Sequence, residues 1–139
     1  MNITYGNQIG YADYTKLRSS AGWPTICEEQ ALSGIRSSKF VIVARDGDKT
    51  VGLARVVADG GFVAYLADVL VLPEYQKKNI GTEMVSRLEA QVKADMKEGY
   101  HVHFVLMAAK DKERFYEKFG FITRPNDDVG PGMAKWLTK

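Results

Sequence analysis

The chain has 139 residues, enough for one domain with a buried core, and its 19 basic and 17 acidic side chains leave a net charge of only +2. That balance argues against nucleic acid or a membrane surface as partner, and no apolar run nears the ~20 residues that span a bilayer. The single cysteine, Cys27, excludes an intramolecular disulfide; with no basic-then-apolar leader at the start, a reducing, cytoplasmic setting is expected.

A short strand is predicted near Ile3, then a helix over 11–19 that Gly22-Trp23-Pro24 breaks. A second helix is expected to begin near Thr25, whose hydroxyl suits an N-cap, with Glu28 and Glu29 in its first turn. It runs through Leu32 and Ile35 to about Ser37, with Cys27 as a small buried residue on it. The period then changes. Phe40-Val41-Ile42-Val43-Ala44 is a β-branched run, Asp46-Gly47 signals a hairpin, and a strand returns over 51–58. Asp59-Gly60-Gly61 marks the next turn, and 62–72 forms a long third strand. From Ile80 apolar residues recur at Met84, Leu88, Val92 and Met96, the stripe of an amphipathic helix that Gly99 would close. A strand over 102–107, a helix over 112–119 ending at Gly120, and strand-like ends to the tail over 121–137 complete the chain. The expected fold is a single mixed α/β (α+β) domain over 1–139, with a mostly antiparallel sheet and about four helices.

One segment combines elements usable for chemistry. A strand over 69–72 runs through Pro73-Glu74-Tyr75 and Gln76-Lys77-Lys78-Asn79 into a helix start at Ile80-Gly81. Peptide N–H groups at a helix start lack internal partners, and the helix dipole adds positive potential, so a phosphate or pyrophosphate fits there. There is no G-x-x-x-x-G-K-[ST] and no G-x-G-x-x-G after a first strand, which disfavours nucleotide P-loops and dinucleotide folds.

The same segment resembles the signature of the GNAT superfamily of N-acetyltransferases: apolar strand, Pro, an aromatic, then Gln or Arg-x-x-Gly-x-Gly or Ala. Asn79 stands where that family usually has Gly, and Asn is the non-glycine residue most tolerant of the left-handed backbone the turn needs. Phe115-Tyr116-Glu117-Lys118-Phe119-Gly120-Phe121 is similar to a second family segment, in the right order after one helix and one strand. Gly22-Trp23, Asp59-Gly60-Gly61, Arg124-Pro125-Asn126 and Gly130-Pro131-Gly132-Met133 resemble a subgroup of small bacterial members, to which plastid serotonin acetyltransferases are loosely similar.

The resemblance implies acetyl-CoA as co-substrate, no metal, and direct attack of an amine in a ternary complex. It implies cofactor contacts from Val69, Leu70 and Val71 to the pantetheine arm. It implies pyrophosphate contacts from Lys77, Lys78, Asn79, Ile80, Gly81 and Thr82, with Gln76 ordering the loop. A peptide N–H near Leu70 would polarise the thioester carbonyl. Tyr116 stands at the family's general-acid position, against a reading as core aromatic; Asp68 is equally readable as a base or as a hydrogen-bonded strand residue. Lys110 either reaches a CoA phosphate or belongs to a solvated face, as do Lys112 and Arg114. Trp23, Tyr65 and Arg124 are candidates for the acceptor pocket or for packing. His101 and His103 share one face of a strand without a third metal ligand, and read as structural histidines. A small-molecule amine is the expected acceptor, with a protein N-terminus or lysine, or a non-catalytic acyl-CoA sensor, as alternatives; a homodimer is an option by family analogy.

Overall fold

The Asp46-Gly47 signal becomes a two-residue turn: Asp46 pairs with Lys49, and Gly47, at φ 59°, takes the left-handed corner that a side chain would resist. The strands it joins, β2 (Phe40–Asp46) and β3 (Lys49–Ala58), form the middle of a sheet. β1 (Ile3–Gly6) adds antiparallel to β2, β4 (Val63–Val71) antiparallel to β3, and β5 (His103–Val105) parallel to β4, in the order β1-β2-β3-β4-β5. The computed structural model describes residues 1–139 and divides into two compact units, Met1–Val105 and Leu106–Lys139.

In the first unit α3 (Ile80–Asp95) covers one face of the sheet, while α1 (Tyr11–Ser20) packs on the other beside α2 (Glu28–Ser37). Strand alternation explains the division. A Cβ on Gly52 would lie 3.1 Å from the Met84 methyl, so Gly52 lets α3 approach; Arg55, three residues on, points to the α1–α2 side and reaches Gly34 and Ser38. Val43, Val51, Leu53, Val56, Met84, Val85, Leu88 and Leu17 form the fully buried centre.

Several boundaries differ from expectation. α2 starts at Glu28, not near Thr25, because α1 side chains claim the preceding carbonyls: Arg18 donates to Pro24 O and Tyr11 to Ile26 O. Cys27 therefore precedes the helix, exposed rather than buried. α3 stops at Asp95, where Met96 turns extended, and Gly99 (φ 85°) belongs to a following turn. The loop over 73–75 is a 3₁₀ turn, Pro73–Tyr75, with proline at its start.

The second unit holds α4 (Glu113–Glu117), shorter than expected because the Phe119 and Gly120 N–H groups bond three residues back instead of four. No strand follows. Pro125 and Pro131 remove ladder donors, and the loop closes on itself: Asn126 Oδ1 accepts from the Asp128 and Val129 N–H groups, and Arg124 donates to Gly130 O. Ile122, Met133, Trp136 and Leu137 are left exposed, so the anticipated terminal strand is replaced by irregular chain.

Candidate functional site

The central feature is a bulge in β4. Arg55 pairs with Ala67 and Leu53 with Leu70, so Ala54 alone faces both Asp68 and Val69. Asp68 absorbs the extra residue by adopting φ 53°. Alternation then changes phase. Before the bulge the Phe62 carbonyl faces β5, accepting from His103 N–H at 2.7 Å; beyond it Leu72 N–H donates to Val51 O on β3. Counting by twos turns the peptide groups of Leu70 and Leu72 toward β3 and those of Val69 and Val71 toward the opposite edge. The outward N–H after the bulge is thus Val69's, next to Leu70, whose own peptide group turns toward β3.

That edge is open. β5 pairs only with Val63, Ala64 and Tyr65, so β4 runs on from Leu66 to Val71 without a ladder partner on that side. Gln76 Nε2 donates to Val71 O at 3.0 Å, closing the end of the edge and tying it to the loop. Within the loop Lys77 (φ 59°) and Asn79 (φ 68°, ψ 4°) both take left-handed backbone, as anticipated for Asn79 but not for Lys77. Such alternation turns successive N–H groups to one side, a concavity suited to anions. The first α3 hydrogen bond runs from Glu83 N–H to Asn79 O, which leaves Ile80 and Gly81 ahead of the helical ladder. Lys77 and Lys78 are exposed beside them.

Asp68 lies in a charged cluster. Its Oδ2 accepts from Tyr14 Oη at 2.6 Å and from Arg55 Nε at 2.7 Å, and Arg18 stands 3.7 Å from Oδ1. The Asp68, Arg18 and Arg55 side chains are only 10%, 14% and 17% exposed. Burial, then the bond to Asp68, holds the Tyr14 phenol above its ordinary range. Trp23 joins through Arg18, whose guanidinium lies 5.4 Å from the indole centre. Tyr65 is half-buried on the same strand, its phenol raised by burial and by the Asp68 charge. The structure therefore brings Trp23, Tyr65 and Asp68 into one electrostatic neighbourhood. Tyr14, Arg18 and Arg55 complete it and were missed; the available signal was an acidic residue inside an apolar strand, which requires a buried partner.

In the second unit Tyr116 is half-buried on α4, edge-on to Phe115 (4.9 Å between ring centres) and to Phe121 (6.1 Å). Arg124 closes its own loop, and Lys110 is exposed. His101 and His103 are exposed; His103 lies 5.9 Å from the Phe62 ring.

Residues 10–133 match the acetyltransferase (GNAT) domain family. The chain belongs to the GNAT acetyltransferases. A crystal structure from meticillin-resistant Staphylococcus aureus, described as a probable acetyltransferase, superposes with a TM-score of 0.82 at 30% identity, over 97% of this chain and 98% of that one. A GNAT-family acetyltransferase from Streptococcus pneumoniae gives 0.78 at 26% identity, over 99% and 98%. Among sequence relatives, the N-acetyltransferase ycf52 of Pyropia yezoensis is 27% identical over 92% of this chain and 74% of its own length. The chloroplastic GCN5-related N-acetyltransferase 2 of Arabidopsis thaliana is 27% identical over 90% of this chain, which spans 55% of that protein. This GNAT chain is an acetyltransferase enzyme, of a family that generally uses acetyl-CoA and acts on small-molecule or protein acceptors. No helix in it is long and apolar enough to cross a membrane.

Proposed function

We propose that this GNAT enzyme transfers the acetyl group of acetyl-CoA to a small primary amine by direct attack in a ternary complex, in the cytoplasm. The observation that carries the reading is the open β4 edge leading without interruption into the left-handed loop and the start of α3. An extended pantetheine arm matches an unpaired strand edge, and a pyrophosphate matches the loop amides with Lys77 and Lys78. When bound, acetyl-CoA supplies the activated acyl group. The Val69 N–H serves the thioester carbonyl, Gln76 holds the loop, and the half-buried Trp23 and Tyr65 flank the acceptor side. Arg124 is assigned to the acceptor and Lys110 to a CoA phosphate on motif position.

Tyr116 is proposed, also on motif position, to protonate the departing thiolate. Tyr116→Phe is expected to lower kcat at least ~tenfold while the acetyl-CoA KM stays nearly constant. Thiol release from acetyl-CoA across a panel of primary amines tests the whole reading. Unchanged turnover in Tyr116→Phe removes that assignment. Acetyl-CoA binding without release for any amine, while protein N-termini or lysines are acetylated, moves the acceptor to proteins; no release with either makes the chain an acyl-CoA sensor.

A further inference from the structure

We propose that Asp68 is a positioning residue, whose carboxylate locks the β4 bulge and so determines which peptide groups meet the acetyl donor. The inference rests on the acetyltransferase reading. Without the bulge, the phase that turns the Phe62 carbonyl outward would continue, and the even-numbered residues 68 and 70 would face the open edge. With it, Val69 and Val71 do. The bulge is thus a selector for the oxyanion donor, and it hangs on one residue held in left-handed backbone without being glycine.

What holds that residue is its side chain. Tyr14 and Arg18 approach from α1 and Arg55 from β3; Arg55 also donates to Ser38 Oγ (3.0 Å) and Gly34 O (3.4 Å) at the end of α2. α1 and β3 thereby converge on the carboxylate of the bulge residue, and the end of α2 braces Arg55. The same contacts make Asp68 poorly suited to shuttle a proton. Oδ2 already accepts two hydrogen bonds, and Oδ1, the oxygen left to take a proton, faces the Arg18 guanidinium at 3.7 Å.

Three substitutions separate holding from proton transfer. Asp68→Asn keeps an acceptor oxygen and tolerates left-handed backbone; Asp68→Gly keeps the backbone freedom alone; Asp68→Ala keeps neither. The readouts are kcat, acetyl-CoA KM, the pH–rate profile with an amine the wild type accepts, and the Val69 amide resonance on adding acetyl-CoA. Asp68→Asn is expected within ~threefold of wild-type kcat with its acid limb in place, Asp68→Gly down ~tenfold and Asp68→Ala ~thirtyfold, with KM nearly constant throughout. The Val69 resonance should respond in the wild type and Asp68→Asn, and lose its response in Asp68→Ala. If Asp68→Asn falls as far as Asp68→Ala and loses its acid limb, the carboxylate takes the proton itself and the proposal is overturned. Wild-type turnover in Asp68→Ala, or in Asp68→Gly where the alanine variant does not fold, also overturns it. If the wild type acetylates no amine yet Val69 responds as stated, the activity reading fails and the positioning role stands. Binding of acetyl-CoA to the wild type with Val69 unmoved overturns the positioning role alone.

Discussion

Asp68 and Asn79 both sit in left-handed backbone, one at the β4 bulge and the other at the turn into α3, but they are held differently. Asp68 is nearly buried and pinned by Tyr14, Arg55 and Arg18. Asn79 is exposed and its side chain makes no capping bond, so only its intrinsic tolerance of positive φ supports the turn. The first conformation is enforced by tertiary contacts, the second by residue type. Substitutions at partners should therefore matter for one, and substitutions at the residue itself for the other.

The largest effect is expected at Arg55. Arg55→Ala removes the shortest ion pair of a cluster whose charged side chains are 10–17% exposed, leaving Asp68 with the Tyr14 hydroxyl and the longer Arg18 contact, and should cost roughly 3 kcal/mol of unfolding free energy in urea titration. A loss below ~1 kcal/mol would mean that the cluster does not hold the bulge. Next comes Tyr14→Phe, which deletes one hydrogen bond to the carboxylate at a 3% exposed position, with an expected loss of about 1–2 kcal/mol. Asn79 makes the opposite case. Asn79→Val puts a β-branched residue at φ 68° and should weaken CoA binding roughly tenfold, whereas Asn79→Gly should preserve or improve it. Equal affinities in a calorimetric titration would erase the distinction between the two sites.

The smallest effect concerns an exposed tie. Asp46 accepts from Asn2 N–H at 2.9 Å and from Tyr75 Oη at 2.7 Å, joining the β2–β3 hairpin to the 3₁₀ turn before the loop. The Asn2 bond first, then Tyr75, holds its carboxyl below the ordinary value. Because the folded value is the lower one, the contribution is fully present above the ordinary value of about 3.9 and is lost as pH falls through the folded value. Thermal midpoints of wild type and Asp46→Asn should accordingly differ slightly at neutral pH and converge in acid. A gap that persists in strong acid would assign the tie to something other than the carboxylate charge.

Much of this was legible from one chain of letters. The β-branched run, the Asp46-Gly47 turn and the stripe of Met84 and Leu88 predicted the sheet and its covering helix, and Asn79 declared its own backbone. The bulge did not declare itself, because it depends on partners far away: Tyr14 lies 54 residues from Asp68 in sequence. Arg55 inside an apolar strand and Asp68 inside another were two halves of one ion pair, and each alone calls for a buried partner without saying which residue it is. The start of α2 failed for a similar reason, since Arg18 and Tyr11 compete for carbonyls that local propensity assigns to a helix. In the tail, apolar letters at Met133, Trp136 and Leu137 suggested a strand, but propensity without a pairing partner does not make one.

The open edge of β4 has a consequence for handling the protein as well as for its chemistry. A row of unpaired peptide groups that receives an extended ligand will also receive an extended segment of another chain, and nothing in hydrogen-bonding geometry tells the two apart. Charge does. Lys77 and Lys78 stand where the edge passes into the loop, and the charge proposed to attract a pyrophosphate would also repel a second copy of this region. The same two lysines thus serve as gatekeepers, and neutralising both would trade ligand affinity for self-association, with the free enzyme clumping sooner than the CoA-bound one.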